Sequence, residues 1–295
     1  MKKRVLVLGV TGMLGHTLFR VLVKNPNLEV FGTARSNSEL DQYFPETFVE
    51  QIRPGVDALV FDTVIRALAA IQPDYIINCI GLIKQDRLAH DSLSAITVNS
   101  QLPHRLSLVC RSAKAHLIHI STDCVFDGSK GNYSEDDPSD AKDLYGRSKF
   151  LGEVNYPHCV TIRTSIIGHE LKGKRSLVEW FLAQKGTIKG FTKAYFTGFP
   201  TIELAQIIND YFISPTQPLQ GLFHVASAPI SKYDLLVLMK ESYQNQVDIE
   251  PSDDFKIDRS LNASRFEEAT GFQPEPWPEM IKAMHEDFRL SGYYS

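Results

Sequence analysis

Three glycines at Gly9, Gly12 and Gly15, directly after the apolar run Val5-Leu6-Val7-Leu8, restrict this chain more than any other feature. A short branched apolar run stopped by glycine reads as a buried strand, and the amphipathic stretch 13–24 reads as a helix opening inside the turn. In such a unit the first glycine permits the tight turn, the second lets the backbone approach a pyrophosphate, and the third lets helix and strand pack closely. Free amides and the helix dipole favour negative charge there. Gly9, Thr11, Gly12, Met13 and Leu14 are therefore candidates for holding a dinucleotide, with a merely structural glycine turn as the alternative.

The pattern repeats through the first half. Strands are expected at 4–8, 29–32, 75–79, 116–121 and 159–164, separated by helices at 13–24, 62–71, 91–113 and 143–155. Alternation of this kind predicts an α/β fold, a Rossmann-type doubly wound parallel sheet. After about residue 165 the pattern loosens. The expected division is a cofactor-binding domain over 1–165, with segments near 195–226 returning to it, and a smaller C-terminal α/β lobe over 166–295 that is mainly substrate-binding. A length of 295 residues suits one large unit with such a lobe.

Composition excludes several function classes. Thirty-one Lys plus Arg against 35 Asp plus Glu gives a net charge of −4 without a long basic run, which argues against nucleic acid or an anionic membrane as partner. The start, Met1-Lys2-Lys3-Arg4 and an apolar run, imitates a secretion signal, but Gly9, Thr11 and Gly12 break it too early. The longest apolar runs fall short of the ~18 residues that span a bilayer, so a cytoplasmic protein is expected. Cys79, Cys110, Cys124 and Cys159 lack metal-ligand spacing; no metal site is expected, and at least three should be small buried thiols.

Tyr145 and Lys149 form a Tyr-x-x-x-Lys pair downstream of Ser121-Thr122-Asp123. Residues four apart share a helix face, and an ammonium beside a phenol should pull its pKa from about 10 toward working pH. A tyrosine so placed can give or take a proton while a hydride moves. Most such pairs are ordinary helix surface; the glycine turn, the threonine and the pair in this order are what single out this one. At the end of the second strand, Gly32-Thr33-Ala34-Arg35-Ser36 has no acid to grip a ribose diol, and Arg35 stands where a 2′-phosphate would lie. NADPH is thus favoured over NADH, the alternative being that Arg35 is a solvated loop charge.

With these motifs the chain resembles the extended short-chain dehydrogenase/reductases and, within them, the dTDP-4-dehydrorhamnose reductase-like nucleotide-sugar reductases. Ser121-Thr122-Asp123-Cys124-Val125-Phe126-Asp127-Gly128 is similar to that family's Ser-Thr-Asp-Tyr-Val-Phe-Asp-Gly stretch, and Gly198-Phe199-Pro200-Thr201, Gly221-Leu222-Phe223-His224 and Arg259-Ser260-Leu261-Asn262 add to the likeness. The resemblance implies that Tyr145 donates a proton to a sugar ketone oxygen and that Lys149 holds the nicotinamide ribose and tunes Tyr145. It implies that Thr122 hydrogen-bonds the same oxygen and that Asn99 supports the proton path. Asp57 and Ala58 resemble adenine-side contacts, and Cys79, Ile80 and Gly81 the strand end beside the nicotinamide ribose. On the substrate side it points to Cys124, Val125, Arg163, His169 and Arg259, with Arg163 equally suited to an internal ion pair and Arg259 to a phosphate.

Three departures lie on that side: Cys124 replaces a tyrosine, Ile166 a tryptophan, and Tyr195-Phe196 an Asp-Gln pair. They suggest the same reduction on an altered nucleotide sugar, such as a UDP-2-acetamido-2,6-dideoxy-4-ketohexose in place of dTDP-4-dehydrorhamnose. A dehydratase would need an Asp-Glu pair after the threonine, where this chain has Asp123-Cys124. An epimerase-reductase would use Cys124 and His169 as a proton-exchanging pair. A non-catalytic alternative is a cofactor-binding regulatory subunit resembling that of methionine adenosyltransferase. Both a homodimer through the long central helices and a monomer are compatible with the sequence.

Overall fold

The computed structural model describes residues 2–38, 40–84, 91–173 and 175–291. Its strands are β1 (Lys3–Leu8), β2 (Leu28–Thr33), β3 (Ile52–Arg53), β4 (Tyr75–Asn78), β5 (His116–Ile120), β6 (Cys159–Arg163), β7 (Ile166–Ile167), β8 (Thr187–Phe196), β9 (Phe199–Pro200), β10 (Gly221–His224), β11 (Ile230–Ser231) and β12 (Asp248–Asp258). Seven of them form one parallel sheet in the order β10-β6-β5-β4-β1-β2-β3. β11, β8 and β12 form a second sheet, and β7 pairs with β9.

Burial on both faces explains why the central strands are continuous apolar runs rather than alternating ones. Val5, Leu6, Val7 and Leu8 are all fully buried. Val5 and Val7 join the core on one side of the sheet and Leu6 and Leu8 the core on the other, as a two-residue strand period requires. Register then aligns the strand ends: Leu8 pairs with Thr33 and with Asn78, and Asn78 pairs with His119. The loops that follow these strands therefore emerge along one edge. Strand order reverses between β1 and β4, and a crevice outside the carboxyl ends at such a point is where open α/β sheets bind ligands.

Two features extend beyond the sequence expectation. The expected helix 91–113 is interrupted: α-helix at Ser92–Ala95 widens to a π-helical stretch at Ile96–Gln101 before resuming at Leu102–Ala113. Periodicity alone does not reveal this, because one extra residue per turn shifts the apolar face only locally; π-turns of this kind concentrate at functional sites. The short strands β3, β7 and β9 carry too few residues to show a period. Residues 201–207 form a helix packed on the first helix, and β10 closes the sheet beside β6.

The first helix, Met13–Val23, is also gripped by the C-terminal helix Trp277–Ser291. Arg20 donates two hydrogen bonds to Asp287, at 3.0 and 2.6 Å, with side chains only 5% and 18% exposed. Trp277 anchors the start of that helix by donating to the Ala228 carbonyl at 2.7 Å. No helix among the described residues is long and apolar enough to cross a membrane.

A buried guanidinium that loses its carboxylate has no water to replace it. Asp287→Asn is expected to destabilise the protein by about 3 kcal/mol, read as a lower urea midpoint at unchanged slope; an unchanged midpoint would show that the pair carries no stability.

Candidate active site

A cleft of about 550 Å³ runs along the carboxyl edge of the sheet, from Thr11, Gly12, Met13, Leu14 and Arg35 at one end to Thr122, Asp123, Cys124, Tyr145 and Lys149 at the other. Cys79, Ile80 and Gly81 line its middle. The glycine turn suits a pyrophosphate on its own geometry. Gly9 has φ +84°, a conformation that side chains resist, and a Cβ on Gly15 would collide with the Gly9 carbonyl. Gly12 caps the first helix with no side-chain hydrogen bond, and the first turn holds no acidic residue. Donor amides and a positive dipole end thus face the cleft without a competing anion, which is what a phosphate requires. Arg35 is exposed on the same lining, at the end of β2. Asp57 and Ala58 sit nearby in the turn after β3, where Val56 donates to the Ala34 carbonyl at 3.0 Å, but outside the residues lining the cleft.

Asp143 starts the helix Leu144–Leu151 by accepting from the Gly146 amide at 2.7 Å. Gly146 is pressed against the Cys124 carbonyl, where a Cβ would not fit, so the helix start is held against the Thr122-Asp123-Cys124 turn. Lys149 is buried and donates to the Ile120 carbonyl at 2.6 Å. Burial lowers its pKa from 10.5 to about 8, with Glu153 and Cys79 pulling it back up.

The expectation for Tyr145 is corrected. Burial pushes the phenol's pKa up from its ordinary value of 10, Cys124, Asp123 and Asp143 add to the rise, and only a hydrogen bond with Thr122 opposes them. Lys149 donates to Ile120 and forms no hydrogen bond with the phenol among the described residues, and the ammonium over the Tyr145 ring belongs to Lys84, 5.7 Å from the centroid and paired with Asp143 at 2.7 Å. Thr122 also donates to Asp123 Oδ1 and accepts from the Cys124 amide, both at 3.1 Å. Asn99, in the π-helical stretch, holds the loop after β4: its Oδ1 accepts from Leu82 N at 2.9 Å, and its Nδ2 donates to the Leu82 carbonyl and to Ser148 Oγ. It supports the wall of the cleft without lining it.

The substrate-side expectations divide. Cys124 lines the cleft, its thiol pushed up to about 12 by burial and then by Asp123. His169 does not join it. Its ring is buried with Nδ1 2.7 Å from Glu179 Oε1 and Nε2 2.8 Å from Tyr243 OH, and it stacks on Phe288 at 4.1 Å. The Cys124/His169 exchange pair is therefore not assembled. Arg163 is an internal ion-pair partner: Nε and Nη2 donate to Glu153 at 2.8 and 2.7 Å, and Glu153 accepts from Ser121 as well. Val125 is fully buried in a small core with Phe126 and Tyr133, facing away from substrate. Arg259 donates to the Phe126 carbonyl at 2.8 Å and sits close enough to Asp123 and Cys124 to influence both charges.

Asp123, Lys84 and Lys232 were not among the expected site residues. Asp123 is a lining carboxylate whose pKa is raised by burial, with Arg259 and Thr122 opposing. Its place between Thr122 and Cys124 was the available signal. Lys84 and Lys232 carry no local motif, because tertiary folding alone brings them to the turn at residue 122.

Fold and cleft together define a dinucleotide-binding protein of the extended short-chain dehydrogenase/reductase type. The chain belongs to the family described as RmlD substrate binding domain, whose pattern matches residues 2–290. It is 26% identical to a dTDP-4-dehydrorhamnose reductase of Aggregatibacter actinomycetemcomitans over 95% of this chain and 97% of the relative. It is 30% identical to the spore coat polysaccharide biosynthesis protein SpsK of Bacillus subtilis over 72% of this chain and 78% of the relative. It is also 26% identical to methionine adenosyltransferase 2 subunit beta of Danio rerio, over 82% of this chain and 74% of that one. In fold it is similar to the dTDP-4-dehydrorhamnose reductase of Bacillus anthracis solved in complex with NADP, with a TM-score of 0.79, 20% identity, and coverage of 97% and 100% of the two chains.

The depressed Lys149 pKa has a defined sign in stability. Between about pH 8 and 10.5 the unfolded chain keeps a proton that the folded chain has released, so this lysine makes stability rise with pH in that window. Relative to wild type, Lys149→Met should lose up to about 1.4 kcal/mol per pH unit of slope there, measured by urea unfolding at several pH values. Parallel curves would show that the ammonium is not buried.

Proposed function

We propose that this protein is an NADPH-dependent reductase of a nucleotide-linked 4-keto-6-deoxyhexose in polysaccharide precursor synthesis, acting in the cytoplasm. The observation that carries this reading is that Tyr145, Thr122 and Lys149 line one end of a cleft whose other end is the uncapped glycine turn and Arg35. When bound, the nicotinamide supplies the hydride. The chain's residues do the rest. Thr122 and Tyr145 hold the ketone oxygen, and Tyr145 gives it a proton as negative charge develops there. A phenol held above its ordinary pKa keeps that proton at neutral pH, which suits the reductive direction. Lys149 lies behind the phenol, anchored on Ile120, where its ammonium positions the nicotinamide ribose. Asn99 keeps the Leu82 loop in place against Ser148 on the catalytic helix.

Epimerisation before reduction finds no support. Cys124 is held as a neutral thiol, and both ring nitrogens of His169 are engaged by Glu179 and Tyr243. A binding-only role, suggested by the methionine adenosyltransferase subunit, would leave the Thr122, Tyr145 and Lys149 arrangement without a purpose. The altered residues Cys124, Ile166 and Tyr195-Phe196 favour a sugar or nucleotide other than that of dTDP-4-dehydrorhamnose. Leu93, Ile96 and Leu108 leave apolar surface exposed along 92–113, through which a homodimer would form.

Two experiments test the reading. NADPH oxidation with enzymatically prepared UDP-, dTDP- and GDP-4-ketosugars should occur with at least one of them, and Tyr145→Phe should lower kcat by 10²-fold or more while NADPH affinity stays the same. In deuterated water the carbons flanking the ketone should carry no solvent deuterium; label there would reinstate the epimerase-reductase. Separately, Arg35→Ala should weaken NADPH binding about tenfold and leave NADH binding unchanged, read by cofactor fluorescence titration. Equal affinities in the wild type would remove the argument for NADPH.

A further inference from the structure

Thr122 has more acceptors to serve than protons to give. A threonine hydroxyl donates one hydrogen bond and accepts two. Its Oγ1 accepts from the Cys124 amide and donates to Asp123 Oδ1, both at 3.1 Å. An ionised carboxylate only accepts, so a charged Asp123 takes the one proton that Thr122 has. The ketone oxygen that the reductase reading places at Thr122 and Tyr145 is also only an acceptor, and Thr122 cannot donate to both. Tyr145 does not relieve the shortage, because its own proton goes to the same ketone oxygen.

Asp123 is placed to resolve this conflict. It lines the cleft beside Thr122, and its main chain is held on both sides: its amide donates to the Thr164 carbonyl at 3.1 Å, and its carbonyl accepts from the Phe126 amide at 3.0 Å. Two cations act on the carboxyl group, and neither forms a salt bridge with it among the described residues. Lys84 pairs with Asp143 at 2.7 Å, and Arg259 bonds through Nε to the Phe126 carbonyl at 2.8 Å. Lys232, at the start of the helix Lys232–Tyr243, is a third charge that Asp123 influences. The remaining titratable neighbours, Tyr145 and Cys124, are both pushed toward their neutral forms. Burial outweighs the cations and strengthens the hold of Asp123 on a proton. An anionic ligand filling the cleft adds to that effect, because it removes water and brings negative charge.

We propose that Asp123 works in its neutral form, donating its carboxyl proton to Thr122 Oγ1 and so releasing the Thr122 proton for the ketone oxygen. The proposal rests on the reductase reading. Every hydrogen-bonding position on Thr122 is then filled: it accepts from the Cys124 amide and from Asp123, and it donates to the substrate. Nothing is transferred from Asp123 during the reaction. Tyr145 still supplies the proton that neutralises the alkoxide, and Asp123 keeps the one it took up before the chemical step. Asp123 is a positioning residue that decides which way the Thr122 hydroxyl points. Activity is consequently lost as pH rises through the ionisation of Asp123.

The test is kcat against pH for the NADPH-loaded enzyme with a ketosugar that it reduces, in wild type, Asp123→Asn, Thr122→Ala and the double variant, with thermal unfolding confirming that each is folded. An asparagine amide donates to Thr122 at every pH. Asp123→Asn should therefore lose no more than about tenfold in kcat. Its alkaline decline should begin at higher pH than that of wild type, where loss of the Lys149 proton at about pH 8 takes over. Thr122→Ala should lower kcat about 10²-fold, and adding Asp123→Asn to it should move the pH profile no further. Infrared spectra of the NADP⁺-saturated protein with isotope-labelled aspartate give a reading without turnover. The carbonyl band of a neutral aspartic acid should be present at neutral pH in wild type and absent in Asp123→Asn; should that variant fail to fold, the wild-type band decides. A larger loss in Asp123→Asn, a pH profile that the substitution leaves in place or moves equally in the Thr122→Ala background, or absence of the band would each overturn the proposal. The reductase reading is judged separately. The band without turnover of any ketosugar would refute that reading alone, and turnover without the band would refute the proposal alone.

Discussion

Contact between the first helix and the first strand governs the rest of the molecule. Gly15 has only a hydrogen where any other residue would drive a methyl group into the Gly9 carbonyl, and Gly9 turns through a φ of +84° to bring the chain round. That approach aims the first-turn amides of the helix along the carboxyl edge of the sheet. Register between β1, β4 and β5 then brings the loops after Leu8, Asn78 and Ile120 to the same line. The glycine turn and Tyr145 share one crevice because parallel strands of matched length end together.

Inside that crevice, burial outweighs the attraction between neighbours. Tyr145 and Cys124 are displaced upward and Lys149 downward, each toward its neutral form, and in all three desolvation is the largest cause. Four residues along a helix place Tyr145 and Lys149 on one side, as spacing implies, but shared direction does not make them hydrogen-bond partners. Ile120, a backbone carbonyl at a strand end, takes the ammonium first. The phenol is left beside Thr122 with no hydrogen bond from Lys149 among the described residues.

The framework was readable because it is local. Glycine spacing, apolar runs and the order of Thr122, Tyr145 and Lys149 are written in short windows, and the expected strands of the first half fall within a residue or two, whereas the helix expected over 143–155 ends at Leu151, the one over 91–113 is interrupted around Asn99, and the short helices Leu40–Tyr43 and Glu46–Val49 were not expected. What lay hidden depends on partners distant in the chain. Arg163 looks available from its position at a strand end, yet Glu153 accepts from its Nε and Nη2 and His224 faces its Nη1. His169 follows a glycine in suggestive register, yet Tyr243, 74 residues later, claims one nitrogen and Glu179 the other. Val125 belongs to a motif that reads as substrate-facing, but a helical turn of three residues rotates it into the core.

The salt bridge between Arg20 and Asp287 joins residues 267 positions apart. During synthesis the nucleotide-binding half leaves the ribosome with a guanidinium destined for burial and no counter-charge to accompany it. A chain lacking Asp287 would keep the lining of the cleft and yet lose the clasp that seats the helix after the glycine turn.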